Sequence, residues 1–95
     1  MDVARIHHYT VEPADVEELF ARRAALITAV RAAYPGLAGT HLTRLEDGTF
    51  TDSWRWDTAE HMQAASPATS LPEAGAAMSL TRDHTARCGE IVDEQ

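Results

Sequence analysis

The sequence predicts an α+β fold of ferredoxin-like topology, β-α-β-β-α-β, with one four-stranded antiparallel sheet. Three observations predict it. Blocks of period-two alternation exchange with blocks of 3.6-residue period along the chain, Asp47-Gly48 marks a hairpin between two strand-like blocks, and Pro35-Gly36 closes the first helical block. Right-handed crossovers in this order place both helices on one face, with strands one and three in the centre. The other face is left bare, and an open sheet face of this size serves as an interaction surface.

Val3 to Val11 reads as the first strand, ended by Glu12-Pro13, and His7 and His8 therefore point to opposite faces. From about Asp15 the residues Val16, Leu19, Phe20, Arg23, Leu26, Ile27, Val30 and Tyr34 fall at the three- and four-residue spacings of an amphipathic helix. Asp15 with Glu18 has the form of a capping box. Leu37 to Glu46 and Thr49 to Trp56 read as the hairpin strands around Asp47-Gly48. Asp57-Thr58-Ala59-Glu60 again has capping-box form and opens a short helix to about Ala65, with Asp57 as the expected cap. Ser66-Pro67 interrupts it. A weak helical piece follows between residues 69 and 82, against the grain of Pro72 and Gly75, and His84 to Asp93 reads as the last strand.

With 95 residues there is room for one domain spanning 1–95, and a chain this short buries only about 60 to 65% of its unfolded surface alone. Association is a natural source of further stability. The hydrophobic share of 44% and charged share of 24% are those of an ordinary globular chain. A formal net charge of -7 argues against a nucleic-acid partner or an anionic membrane surface, because both need dense basic charge. All eight basic residues are Arg and the chain has neither Lys nor Asn, a usage expected of a GC-rich bacterial genome. No signal peptide or membrane-spanning run is read, so a cytoplasmic location is expected. The one cysteine, Cys88, lacks an internal partner and metal-ligand spacing, and a small buried apolar residue would suit its position. No serine nucleophile motif or phosphate loop is present.

The third strand concentrates the candidate chemistry. Phe50, Asp52, Trp54 and Trp56 share one face and Thr49, Thr51, Ser53 and Arg55 the other. The aromatic face must be buried, as a stacking wall for a flat aromatic ligand or as core or dimer packing. Asp52 between Phe50 and Trp54 is a partly desolvated carboxylate. It is a candidate general base for a phenolic or carbon acid, or half of an ion pair with an arginine such as Arg5 or Arg44 on a neighbouring strand. The histidines form no metal motif, and Asp57 and His61 could meet across a helical turn, although the helix cap is the expected role of Asp57.

The order of these signals resembles the antibiotic-biosynthesis monooxygenase family of dimeric α/β barrels. The residues that carry the resemblance are Tyr34-Pro35-Gly36-Leu37 after the first helix, Thr43-Arg44 in the second strand, the Asp47-Gly48 turn, and Trp54-Arg55-Trp56-Asp57-Thr58 before the second helix. The resemblance covers roughly residues 3 to 92. It implies a homodimer whose sheets pack face to face, a small apolar pocket between sheet and helices in each subunit, and oxidation of a small aromatic or polyketide-like molecule without a cofactor. On that reading Asp52, His8 and His41 are the candidate catalytic residues, with one of His7, His8 or His41 as proton shuttle near neutrality, and Trp54, Trp56, Tyr9 and Arg44 line or orient the substrate. For each histidine the alternative is a surface or hydrogen-bonded position. Oxygenase and haem-degrading members of the family use an Asn and a Trp from the second helix. This chain has no Asn, and its two tryptophans lie in the third strand, so haem degradation is not expected.

A non-catalytic dimeric barrel that binds a ligand or partner is the alternative function. The interior discriminates the two: a pocket lined by Asp52 and a histidine favours an enzyme, and an interior filled by Trp54 and Trp56 favours the barrel alone.

Overall fold

The computed structural model describes all residues, Met1–Gln95. Its elements are β1 (Val3–Val11), α1 (Val16–Ala33), β2 (Leu37–Arg44), β3 (Phe50–Trp56), α2 (Ala59–Ala64), α3 (Pro72–Met78) and β4 (Thr81–Glu90). The four strands form one antiparallel sheet in the order β2-β3-β1-β4, so β1 and β3 are central as the topology requires. The helices cover one face, and no helix is long and apolar enough to cross a membrane.

Proline and glycine punctuate the chain largely where their chemistry demands. Pro13 opens a 3-10 turn, Pro13–Asp15, that leads directly into α1. The expected Asp15 capping box does not form: Asp15 is the last residue of that turn, and its side chain makes no capping bond. At the other end Tyr34 leaves the helix in extended geometry and Gly36 adopts φ 101°. A Cβ at Gly36 would also sit 2.5–2.6 Å from atoms of Asp57 and His61, so both conformation and space require glycine there. In the hairpin, Gly48 has φ 87°, its N–H donates to the Leu45 carbonyl, and the Asp47 carboxylate accepts from the Thr49 N–H and hydroxyl.

The corner between β3 and α2 departs from expectation in one detail. Thr58, not Asp57, caps α2, its hydroxyl accepting from the His61 N–H at 3.0 Å. Asp57 instead meets the His61 ring, Oδ1 to Nδ1 at 2.6 Å, and that contact holds its carboxyl below the usual range. The threonine lies one residue closer to the helix, in the extended geometry that suits a cap. Ser66 to Ser70 then form a 3-10 turn, and Pro72 starts α3 rather than breaking it, because the first helical position needs no N–H.

The core lies in two clusters along the covered face. Val3, Val30, Trp54, Trp56 and Ala65 form one, and Tyr9, Val11, Leu19 and Phe50 the other. Within α1 the buried stripe is narrower than the periodicity suggests: Leu19 and Val30 are sealed, while Phe20 is 46% exposed. The bare face carries small and polar residues of β2 and β3 around Ile6, which is 43% exposed. The total accessible surface of 5924 Å² exceeds the about 5,400 Å² expected of a monomer of this mass, as a cavity and an uncovered sheet face would produce.

The last strand begins at Thr81, three residues earlier than the sequence suggests, and contains a β-bulge. Thr10 pairs with Arg82 and His8 with Thr85, so Asp83 and His84 together face the single residue Tyr9. Asp83 takes φ 54°, a left-handed geometry that aspartate tolerates. Without the extra residue, Thr81 and His84 would lie on opposite faces. His84 keeps the helix side that alternation with Ala86 and Cys88 gives it, and the bulge brings Thr81 to that side as well.

Candidate functional site

Between the two core clusters, over β1 and β3 and under the helices, lies a cavity of about 440 Å³. That is within the range of small-molecule sites. Alternation on β1 and β3 sends Arg5, His7, Tyr9, Asp52, Trp54 and Trp56 into it, and α1 contributes Arg23. Its remaining walls are mainly apolar residues of α1 and of the segment from Met62 to Met78. The cavity opens along β4, where His84 and Cys88 line it and Cys88 is exposed.

Asp52 is the buried polar centre of the site, 5% exposed. Arg23 grips its carboxylate with Nη2 at 2.9 Å from Oδ1 and Nε at 3.0–3.1 Å from both oxygens. Tyr9 donates its hydroxyl to Oδ2 at 2.8 Å, and Trp54 donates its indole N–H to Oδ1 at 2.9 Å. Burial, then the charge and hydrogen bond of Asp52, push the Tyr9 hydroxyl far above its ordinary value, so it stays a neutral donor. These donors saturate the carboxylate. Asp52 therefore fixes Tyr9, Arg23 and Trp54 and has no free lone pair for a substrate proton. Its ion-pair partner is neither Arg5 nor Arg44: those residues pair in the sheet with Trp54 and Phe50, whereas His7 and Leu42 lie opposite Asp52.

A second polar group stands beside it. His7 Nδ1 and His84 Nε2 are 2.8 Å apart, one imidazole donating and the other accepting, with their ring centroids 4.9 Å apart. Burial, then the neighbouring His84 and Arg5, lowers the His7 pKa to about 4, and burial and Arg5 lower that of His84. Both rings are neutral at pH 7. Arg5, exposed at the mouth, reaches Cys88 Sγ with Nη1 at 3.4 Å.

The predicted site residues divide between the two faces. Asp52, Trp54, Trp56 and Tyr9 line the cavity together. His8 faces away and bonds Thr49 at 2.9 Å beside the hairpin, and His41 lies exposed on β2 opposite Ser53 on the bare face. Arg44 lies outside the cavity, its guanidinium 5.2 Å from the Phe50 ring centre. Cys88 is exposed rather than buried, because the helices do not cover β4 there. Arg23, His7, His84 and Arg5 complete the site. The signal for Arg23 was a charged residue inside the apolar stripe of α1, and His7 shares the alternation of Tyr9.

No family model and no curated protein matches the sequence. Solved structures do. SnoaB, a cofactor-independent oxygenase from Streptomyces nogalater, superposes with a TM-score of 0.65 at 26% identity over 99% of this chain and 94% of that one. An antibiotic biosynthesis monooxygenase matches with a TM-score of 0.68 at 12% identity, covering 96% of this chain and 99% of its own. The chain has the fold of the antibiotic-biosynthesis monooxygenases. An MhuD variant with two manganese protoporphyrin IX molecules bound per active site shares this monooxygenase-like fold, at TM-score 0.70 and 24% identity over 98% and 97% of the two chains.

Proposed function

We propose that this chain takes a small, flat, aromatic or polyketide-like molecule into the cavity and oxidises it with molecular oxygen, without a cofactor. The observation that carries the reading is the cavity itself. Trp54 and Trp56 form its wall without filling it, and a neutral histidine pair and an ordered Tyr9–Asp52–Arg23 network stand on its floor. The likeness to a cofactor-independent oxygenase supports the same reading.

The chemistry needs a substrate with an acidic O–H or C–H on an electron-rich ring. The neutral His7–His84 pair offers one ring nitrogen as acceptor for that proton. The carbanion or its phenolate form gives an electron to oxygen, and the two radicals combine in a C–O bond. The peroxide so formed takes up the proton, and its O–O bond breaks as the remaining C–H proton is lost, so that a CH₂ becomes a carbonyl and one water is released. One substrate and one O₂ account for all atoms. The apolar walls exclude water from the anion, and Trp54, held by its bond to Asp52, presents a fixed face to the ring.

The working form in this reading is a homodimer with the bare sheet faces packed together, in the cytoplasm. Tricyclic hydroxyanthrones test the activity: expected are quenching of tryptophan fluorescence at micromolar concentration and uptake of one O₂ per substrate. An absence of quenching up to millimolar concentration overturns the reading.

A further inference from the structure

We propose that the molecule bound in this cavity carries an anionic oxygen, a carboxylate or ring oxyanion, and that Arg5 at the mouth is the residue that holds it. The inference rests on the proposed reading of the cavity as a site for flat aromatic molecules and adds the charge of the ligand.

Four of the eight arginines have carboxylate partners: Arg22 with Glu18, Arg23 with Asp52, Arg55 with Asp2 and Glu94, and Arg82 with Glu12. Arg5 has none, in a chain where Asp and Glu number 15 against eight arginines. Of the four unpaired arginines, Arg5 alone lines this cavity. Asp52 is the only acidic residue of its lining, and Arg23 neutralises it, so the cavity carries one net positive charge inside a chain of net charge -7. Such local inversion of charge concentrates anionic ligands at the mouth.

The geometry leaves Arg5 free to act. Its one side-chain hydrogen bond is to the Cys88 sulfur at 3.4 Å, a weak acceptor, while a guanidinium has five N–H donors in a planar fork that matches a carboxylate. Arg5 lies on the same face of β1 as His7, two residues away, and opposite Trp54 on β3. A ring stacked on the Trp54 side thus places its acidic substituent between Arg5 and the histidine pair. The role also fits the proposed chemistry, because the fixed cation favours the substrate anion over its acid.

Calorimetric titration with 2-naphthoate and 2-naphthamide isolates the charge, since the two differ in little else. The expected result is naphthoate binding at least about 10-fold more tightly, with the preference shrinking as salt rises because Arg5 is exposed. Arg5→Gln is expected to abolish the preference while naphthamide affinity stays within about twofold, and Arg5→Lys to retain part of it. Equal binding of the two ligands, or a preference that survives Arg5→Gln, overturns the anion site while leaving the aromatic site standing. Binding of neither ligand overturns both.

Discussion

Arg23 of α1 and Asp52 of β3 form a bidentate ion pair inside the protein, with Nη2 and Nε both within 3.1 Å of the carboxylate. It ties the first helix to the centre of the sheet, in the gap between the two apolar clusters. Breaking a buried pair by removing one charge leaves the other desolvated and unpaired.

Asp52→Asn is therefore expected to destabilise the protein by about 3 to 5 kcal/mol, measured by urea denaturation. The folded fraction should keep turnover, because the saturated carboxylate anchors its neighbours and takes no substrate proton. A variant of normal stability that has lost activity would restore Asp52 as the base.

The strand order, the first helix and the aromatic face of β3 were legible because period and punctuation agree at each of them. Asp52 stood out for the same reason, as a carboxylate in an aromatic row. Its partner did not: pairing along strands suggested Arg5 or Arg44, but the contact crosses from sheet to helix, where only the intrusion of Arg23 into an apolar stripe hints at it. His84 was less legible still. It shares a face with Ala86 and Cys88 by plain alternation, but nothing in the sequence says that this face of the last strand meets a cavity. His8 and His41 were misdirected by the opposite ambiguity, since a strand with chemistry-bearing residues on both sides does not say which side holds the pocket.

Acid should weaken the fold through His7. Its pKa is about 4 in the folded protein against 6.5 for a free histidine, so the unfolded chain takes up the proton first. Stability from this group is full above pH 6.5 and falls as the pH drops toward 4. After discounting for partial exposure, the loss between pH 7 and 5 is expected to be about 1 to 2 kcal/mol, with His84 acting in the same direction. Urea midpoints of the wild type and His7→Gln across that range give the comparison, and equal slopes would show that His7 contributes nothing.

The bare sheet face predicts association. A stable homodimer should bury at least about 1,200 Å² in total, and light scattering at micromolar concentration should return twice the mass of 10.4 kDa. Ile6, 43% exposed and paired with Ser53 and Arg87 on the neighbouring strands, is the apolar residue to perturb. Ile6→Glu should yield a monomer with its cavity intact. A wild-type chain that remains monomeric would remove the dimer.

Trp56 closes the buried face of β3 immediately before the turn into α2, and it is 4% exposed. It pairs with Val3 on one side and Leu37 on the other, while the following residue, Asp57, donates its N–H to the Gly36 carbonyl at 2.9 Å. One side chain thus packs where β1, β2 and the corner into α2 converge. Truncating a buried aromatic removes its transfer energy and leaves a cavity, so Trp56→Ala is expected to cost about 3 to 5 kcal/mol. The melting temperature should fall by roughly 10 °C or more. Trp54→Phe provides the contrast at the ligand wall: it keeps most of the volume but loses the N–H bond to Asp52, so its stability cost should be about 1 to 2 kcal/mol while aromatic affinity changes. A Trp56→Ala protein that melts within a few degrees of the wild type would show that this corner is held by the Gly36–Asp57 backbone contact without the indole.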